Sequence, residues 1–215
     1  MSQPALHLYV DSQFSSLYAL SAFVALTEKN LDFQLHGVDL AARAQQQPAY
    51  AALSLTRRVP TLRHDEFALS ESSAISEYLD EVFPGAPLYP TEPQARARAR
   101  QLQAWLRSDL QLIRQERSSD VIFAGARKVP LTPAAQEAAQ KLFDIASALL
   151  PDDAANLFGA WSIADLDLAA TLNRLVLHGD AVPAPLARYA QQQWQRPAVQ
   201  RWLALAAQAR HGRAA

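Results

Sequence analysis

The stretch Ser54–Ile75, SLTRRVPTLRHDEFALSESSAI, decides how the front of the chain is read. Thr61 to Arg63 and Phe67 to Leu69 are short apolar runs on either side of His64-Asp65-Glu66, which predicts a β-hairpin. Proline cannot donate to a sheet ladder. Pro60 at the head of the first run therefore belongs at a first strand residue, an edge or a bulge, where prolines sometimes carry a cis bond. Glu71-Ser72-Ser73 follows the hairpin and opens a helical pattern that runs to Phe83. Serine at a helix mouth ordinarily caps amides that the helix leaves open, yet those amides and the positive dipole end also suit a ligand carboxylate. Glu71 beside them suits the helix dipole, and could equally receive a ligand ammonium.

Upstream, Leu6 to Val10 reads as a strand, and SLYALSAFVALTEK repeats Leu17, Leu20, Val24 and Ala25 at helical spacing. Phe33 to Val38 alternates like a strand, and Ala41 to Leu53 holds a short helix. The order β-α-β-α-β-β-α over the first 83 residues predicts a compact α/β unit. After PGAPLYPTEP, Pro84 to Pro93, only helical periodicities remain, broken at Val129-Pro130, Pro151-Asp152-Asp153 and Val182-Pro183. The expected organisation is an α/β domain over 1–84, a linker over 85–93 and an all-helical domain over 94–215.

Composition removes several functions. The 215 residues are 50% hydrophobic, ample for a core, and 20 basic against 21 acidic side chains leave a net charge of −1, which argues against nucleic acid as a partner. Without cysteine there is no disulfide framework, thiolate metal site or cysteine nucleophile. Five scattered histidines, His7, His36, His64, His178 and His211, form no HExxH pair, so no metal is expected. The six glycines make neither GxGxxG nor GxxxxGK, so there is no glycine-rich phosphate cradle. MSQPALHLYVDSQ lacks the basic and apolar parts of a secretory signal, and no apolar run reaches the ~18 residues of a membrane span. The expectation is a soluble, cytoplasmic protein with no membrane partner. Arg96, Arg98 and Arg100 alternate with alanine as a solvated helix face would, and Glu116, Asp120 and Asp144 read as surface charges.

Another place suggests chemistry. The turn Gln13-Phe14-Ser15-Ser16 lies where the first strand hands over to the first helix. Its hydroxyls suit capping, and a serine there could also donate to a bound thiolate and lower its pKa. Further along, Ser162-x-x-Asp165 is a capping box ahead of an apolar run, a folding signal. Trp161 and Ile163 flanking it, and Leu102, Trp105 and Leu106 on one face of the first long helix, are expected in the core.

Together, Val59-Pro60, Glu71-Ser72-x-Ala74-Ile75-x-x-Tyr78-Leu79, the FSSLYAL turn and Ser162-Ile163-Ala164-Asp165 resemble a bacterial cytosolic glutathione transferase over residues 5 to 205. The resemblance implies a thioredoxin-like domain followed by an all-α domain, with no permanent cofactor and reduced glutathione as cosubstrate. It implies a cis proline at Pro60, Val59 backbone pairing with the cysteinyl part of glutathione, and Ser72 and Glu71 at the γ-glutamyl end. It implies Arg58 near the glycyl carboxylate, with Arg57 a surface charge that could exchange with it. The thiol-activating hydroxyl falls on Ser16, followed here by Leu17 where many relatives have proline, with Ser15 as the alternative. It further implies an electrophile pocket between the first long helix and the Ser16 turn, with Trp105, Ser108, Asp109 and Leu112 as candidates, and a homodimer. Conjugation of small electrophiles is the expected activity, with glutathione-dependent peroxide reduction open. Alternatives are a glutathione-dependent isomerase or dehalogenase, and a non-catalytic binding module. FSSLYAL departs from the Ser-Ser-Cys type of turn after two residues, which counts against maleylacetoacetate isomerisation.

Overall fold

A computed structural model describes residues 6–150 and 154–214; the break expected at Pro151-Asp152-Asp153 lies outside the described residues. The order is β1 (Leu6–Asp11), α1 (Leu17–Glu28), β2 (Gln34–Val38), a 3-10 turn (Ala44–Gln46), α2 (Pro48–Leu53), β3 (Thr61–His64), β4 (Phe67–Ser70) and α3 (Ser72–Val82). Then come α4 (Pro93–Ser108), α5 (Gln111–Glu116), α6 (Ser119–Ala124), α7 (Pro133–Leu149), α8 (Ile163–Val176), α9 (Ala184–Trp194) and α10 (Pro197–Ala214). This is the mixed α/β architecture followed by helices that the sequence predicts.

The sheet order is β2-β1-β3-β4, with β1 parallel to β2 and antiparallel to β3, and β3 antiparallel to β4. On β1 burial alternates from Leu6 to Val10: Leu6, Leu8 and Val10 are buried, while His7 and Tyr9 are half-buried. The buried face meets α1, and α1 in turn packs against α3 and α10. That position explains why α1 is apolar nearly all round, with every residue from Ala19 to Leu26 buried. A buried ion pair, Lys29 Nζ to Asp80 Oδ1 at 3.6 Å, joins the end of α1 to α3, and Leu88 N–H donates to the same carboxylate oxygen at 2.8 Å.

Contacts divide the chain into two compact units that meet in sequence at Leu88 and Tyr89, inside the stretch read as a linker, and α10 belongs to the first unit. Trp202 of α10, fully buried, explains this: its ring lies 5.3 Å from Phe23 of α1 and 5.2 Å from Phe14 of the serine turn.

In the second unit α8 is central, packing on α4, α6 and α9. Its start is fixed as the sequence predicts. Asp165 accepts from Ser162 N–H at 2.8 Å and Ser162 Oγ at 2.9 Å, and also from Leu157 N–H at 2.7 Å and Tyr189 Oη at 2.8 Å. Ile163 is fully buried, but Trp161 is only half-buried, with the Arg196 guanidinium 4.1 Å above its ring. Among the described residues no helix is long and apolar enough to cross a membrane.

Candidate functional site

The strand register assembles one edge of the sheet. Tyr9 pairs with Thr61, and Thr61 with Ser70, so the turn after β1, the Arg58-Val59-Pro60 segment before β3 and Glu71-Ser72 after β4 emerge at the same end. Tyr9 and Thr61, 52 positions apart, thus become neighbours through antiparallel pairing. At this end Phe14, Arg57 and Glu71 all have positive φ, 54°, 54° and 74°. For residues other than glycine such backbone costs about 1 kcal/mol or more, and it gathers where geometry serves a ligand.

The serine turn is built around Asp11, the last residue of β1 and almost fully buried. Its Oδ2 accepts from Ser15 N–H at 2.7 Å and Ser15 Oγ at 2.9 Å, and its Oδ1 from Ser16 N–H at 3.1 Å. Ser16 is the N-cap of α1, its Oγ accepting from Ala19 N–H at 3.2 Å. The two hydroxyls therefore differ. The Ser15 proton is directed into the Asp11 carboxylate, whereas among the described residues Ser16 Oγ accepts and donates to no protein group. Asp11→Ala would leave three half-buried donors without their acceptor. We expect it to lower the unfolding free energy by about 2–3 kcal/mol, read from denaturant titration, since hydrogen bonds to a charged group are the strong ones. An unchanged midpoint would mean the turn is held by its packing on Trp202 instead.

The Val59–Pro60 peptide is cis, as the resemblance implies. Pro60 is buried, Val59 half-buried and Arg58 exposed. Among the described residues neither the N–H nor the carbonyl of Val59 is hydrogen-bonded, which leaves a strand-like backbone edge. Glu71 is exposed and Ser72, the first residue of α3, is buried, with Ser76 Oγ donating to its carbonyl at 2.9 Å.

Trp105 is half-buried rather than core, and its Nε1 donates to Asp109 at 2.9 Å. Ser108 Oγ and Lys141 Nζ reach the same carboxylate, each at 3.0 Å, and the ammonium lies 5.9 Å over the Trp105 ring. Lys141, Ser108 and Trp105 together hold Asp109 below the ordinary carboxylate range, so it is an acceptor rather than a proton donor. Leu112 is 39% exposed. Arg96 and Arg100, read as a solvated face, lie over the Tyr89 ring at 5.6 and 6.0 Å, while Arg98 donates to Gln101.

Residues 92–208 match the glutathione S-transferase C-terminal domain, and residues 15–82 the glutathione S-transferase N-terminal domain. The chain belongs to the glutathione S-transferase family. A glutathione transferase homologue from Burkholderia, solved with bound glutathione, is 45% identical, covering 95% of this chain and 98% of that one, with a TM-score of 0.77. A maleylacetoacetate isomerase from Methylobacterium extorquens AM1, with malonate and glutathione bound, is 26% identical over 93% of this chain and 97% of that one, with a TM-score of 0.71. Maleylacetoacetate isomerase of Pseudomonas aeruginosa is 39% identical over 106 residues, 48% of this chain and 49% of the relative, so the chain spans about half the length of the curated relative it matches.

Asp11 as the organiser of the serine turn is not evident from the sequence alone. An acid four residues before a serine, at the end of a strand, is the one local sign it leaves. Nor is Trp202 evident there, since its contact with Phe14 spans almost the whole chain.

Proposed function

We propose that the protein is a glutathione S-transferase that binds reduced glutathione at the Ser16, Val59-Pro60 and Ser72 edge and uses its thiolate against small electrophiles. One observation carries this. Ser16 stands at the start of α1, its hydroxyl proton and the Val59 backbone without a partner among the described residues, at the end of the sheet where the start of α3 also emerges. In the proposal Val59 pairs with the cysteinyl backbone, Ser72 takes the γ-glutamyl carboxylate with Glu71 near the ammonium, and Arg58 meets the glycyl carboxylate. Ser16 Oγ donates to the sulfur, and with the α1 dipole favours the thiolate as the thiol proton leaves to solvent. The thiolate then attacks the electrophilic carbon, forming the C–S bond as the leaving group departs with the electron pair.

Ser16 is preferred over Ser15 because the Ser15 proton already serves Asp11. Trp105 and the exposed Leu112 are the apolar groups we assign to the electrophile, while Ser108 and Asp109 hold Trp105 and Lys141 in place. Peroxide reduction with the same thiolate is included: two glutathiones and a hydroperoxide give glutathione disulfide, an alcohol and water. A cytoplasmic homodimer completes the proposal, following the cytosolic branch of the family, and a monomeric mass at micromolar concentration would overturn the assembly.

The test is a calorimetric titration with reduced glutathione beside a conjugation assay on a generic aromatic electrophile. We expect binding with turnover; no binding overturns the glutathione reading. Binding without turnover favours the second reading, a glutathione-dependent isomerase, which the likeness to maleylacetoacetate isomerases supports. Product analysis separates the two, because an isomerase returns glutathione unconsumed.

A further inference from the structure

Three buried hydroxyls surround the Arg58 carbonyl. Tyr50 of α2 is 8% exposed, Ser54 just after α2 is 1% exposed, and Thr61 at the start of β3 is fully buried. Tyr50 Oη donates to the Arg58 carbonyl at 2.9 Å, Ser54 Oγ donates to it at 3.3 Å, and Thr61 Oγ1 donates to Ser54 Oγ at 2.9 Å. Thr61 Oγ1 also lies 3.0 Å from both Tyr50 Oη and the Arg58 carbonyl. With Thr61 feeding Ser54, both lone pairs of the carbonyl are filled and each hydroxyl proton is used once.

This arrangement exceeds what holding a loop requires. Three polar groups are withdrawn from water to grip a single carbonyl, in a turn whose Arg57 has φ 54° and whose Arg57 N–H donates to the Ser54 carbonyl at 3.1 Å. With the Arg58 carbonyl drawn inward, the Arg58 side chain is exposed, and the Val59 amide and carbonyl stay unpaired among the described residues. We propose that Tyr50, Ser54 and Thr61 are positioning residues for glutathione, fixing through the Arg58 carbonyl the Val59 backbone edge and the Arg58 guanidinium. This rests on the glutathione reading above and touches neither the sulfur nor the electrophile. Burial pushes the Tyr50 hydroxyl up from its ordinary pKa, against the hydrogen bonds of Thr61 and Ser54, so it remains a donor through the working pH range.

A fixed cradle spares the ligand the entropy of ordering it, so losing the cage weakens binding rather than chemistry. Tyr50→Phe and Thr61→Val should each raise the calorimetric Kd and the KM for glutathione about tenfold, with kcat at saturating glutathione changed by less than about twofold. Thr61→Ser keeps the hydroxyl and should bind as the parent protein does. Hydrogen exchange at the Arg57 amide of the free protein, which is bonded to the Ser54 carbonyl, should quicken in the first two variants and not in the third. Should Tyr50→Phe fail to fold, Ser54→Ala, which removes the longest bond to the carbonyl and frees the Thr61 proton to turn to that carbonyl at 3.0 Å, carries the test with a roughly threefold rise in Kd. A parent protein that binds glutathione while the folded variants bind equally well overturns the cage proposal alone. A parent protein that does not bind glutathione overturns the glutathione reading and this inference with it.

Discussion

Replacing Ser16 by alanine should lower kcat for conjugation by about a hundredfold, while the glutathione Kd changes by less than about threefold. The hydroxyl donates most strongly to the thiolate, so its loss falls on the activated state and not on the ground state that the backbone and carboxylate contacts hold. The thiolate pKa of bound glutathione should rise with it, shifting the pH–rate profile to higher pH, measurable from the ultraviolet absorbance of the bound thiolate. Ser16 also caps α1, so Ser16→Ala should cost about 1 kcal/mol of stability, whereas Ser16→Gly retains most of the cap and should lose the same activity. Ser15→Ala, which removes only a bond to Asp11, is the comparison. Equal turnover losses in Ser15→Ala and Ser16→Ala would transfer the effect to the turn as a whole. A loss confined to Ser15→Ala would reverse the assignment.

The largest stability effect belongs to Arg117 and Asp180. The Arg117 side chain is fully buried and Asp180 is 16% exposed. Arg117 Nε and Nη2 reach the two carboxylate oxygens at 2.6 and 2.7 Å, and Nη1 donates to the Glu116 and Val129 carbonyls. His178 Nδ1 lies 3.1 Å from the same carboxylate. Removing one member of such a pair strands a buried charge. Asp180→Ala should therefore cost about 3–5 kcal/mol and lower Tm by roughly 10 °C, while the double replacement Arg117→Met with Asp180→Leu should recover much of it. Desolvation works to raise the Asp180 pKa, but the Arg117 hydrogen bonds and charge, with His178, outweigh it and leave the carboxyl below its ordinary range. A depressed folded pKa means that this contribution is complete above the unfolded carboxylate value of about 3.9 and is lost as pH falls through the folded value. In acid, Asp180→Asn should lose stability less steeply than the parent protein; parallel acid limbs in the two would show that the pair is not a source of acid sensitivity.

Much of the fold was legible because its signals are local. The period of two in Leu6 to Val10, the helical spacing from Leu17 onward, Pro60 before an apolar run, and the Ser162-x-x-Asp165 box each act within a few residues of themselves. The positions of Ser16, Val59-Pro60 and Glu71-Ser72 were legible for the same reason, since each marks an element boundary. Trp105 and Trp161 misled because aromatic residues at helical spacing read as core, and nothing local reveals that Asp109 or Arg196 will hold them half-exposed at the surface.

By itself, then, the sequence determined the order of strands and helices over the first 83 residues and the helical character of the rest. Only the tertiary structure decided that α10 returns to the first unit, because the Trp202 ring needs Phe14 and Phe23, which lie far away along the chain, to bury it. It alone shows how two adjacent serines differ. Their difference is a proton, spent by Ser15 on a buried Asp11 and kept by Ser16, and the direction of a hydroxyl is set by the acceptors that folding brings to it.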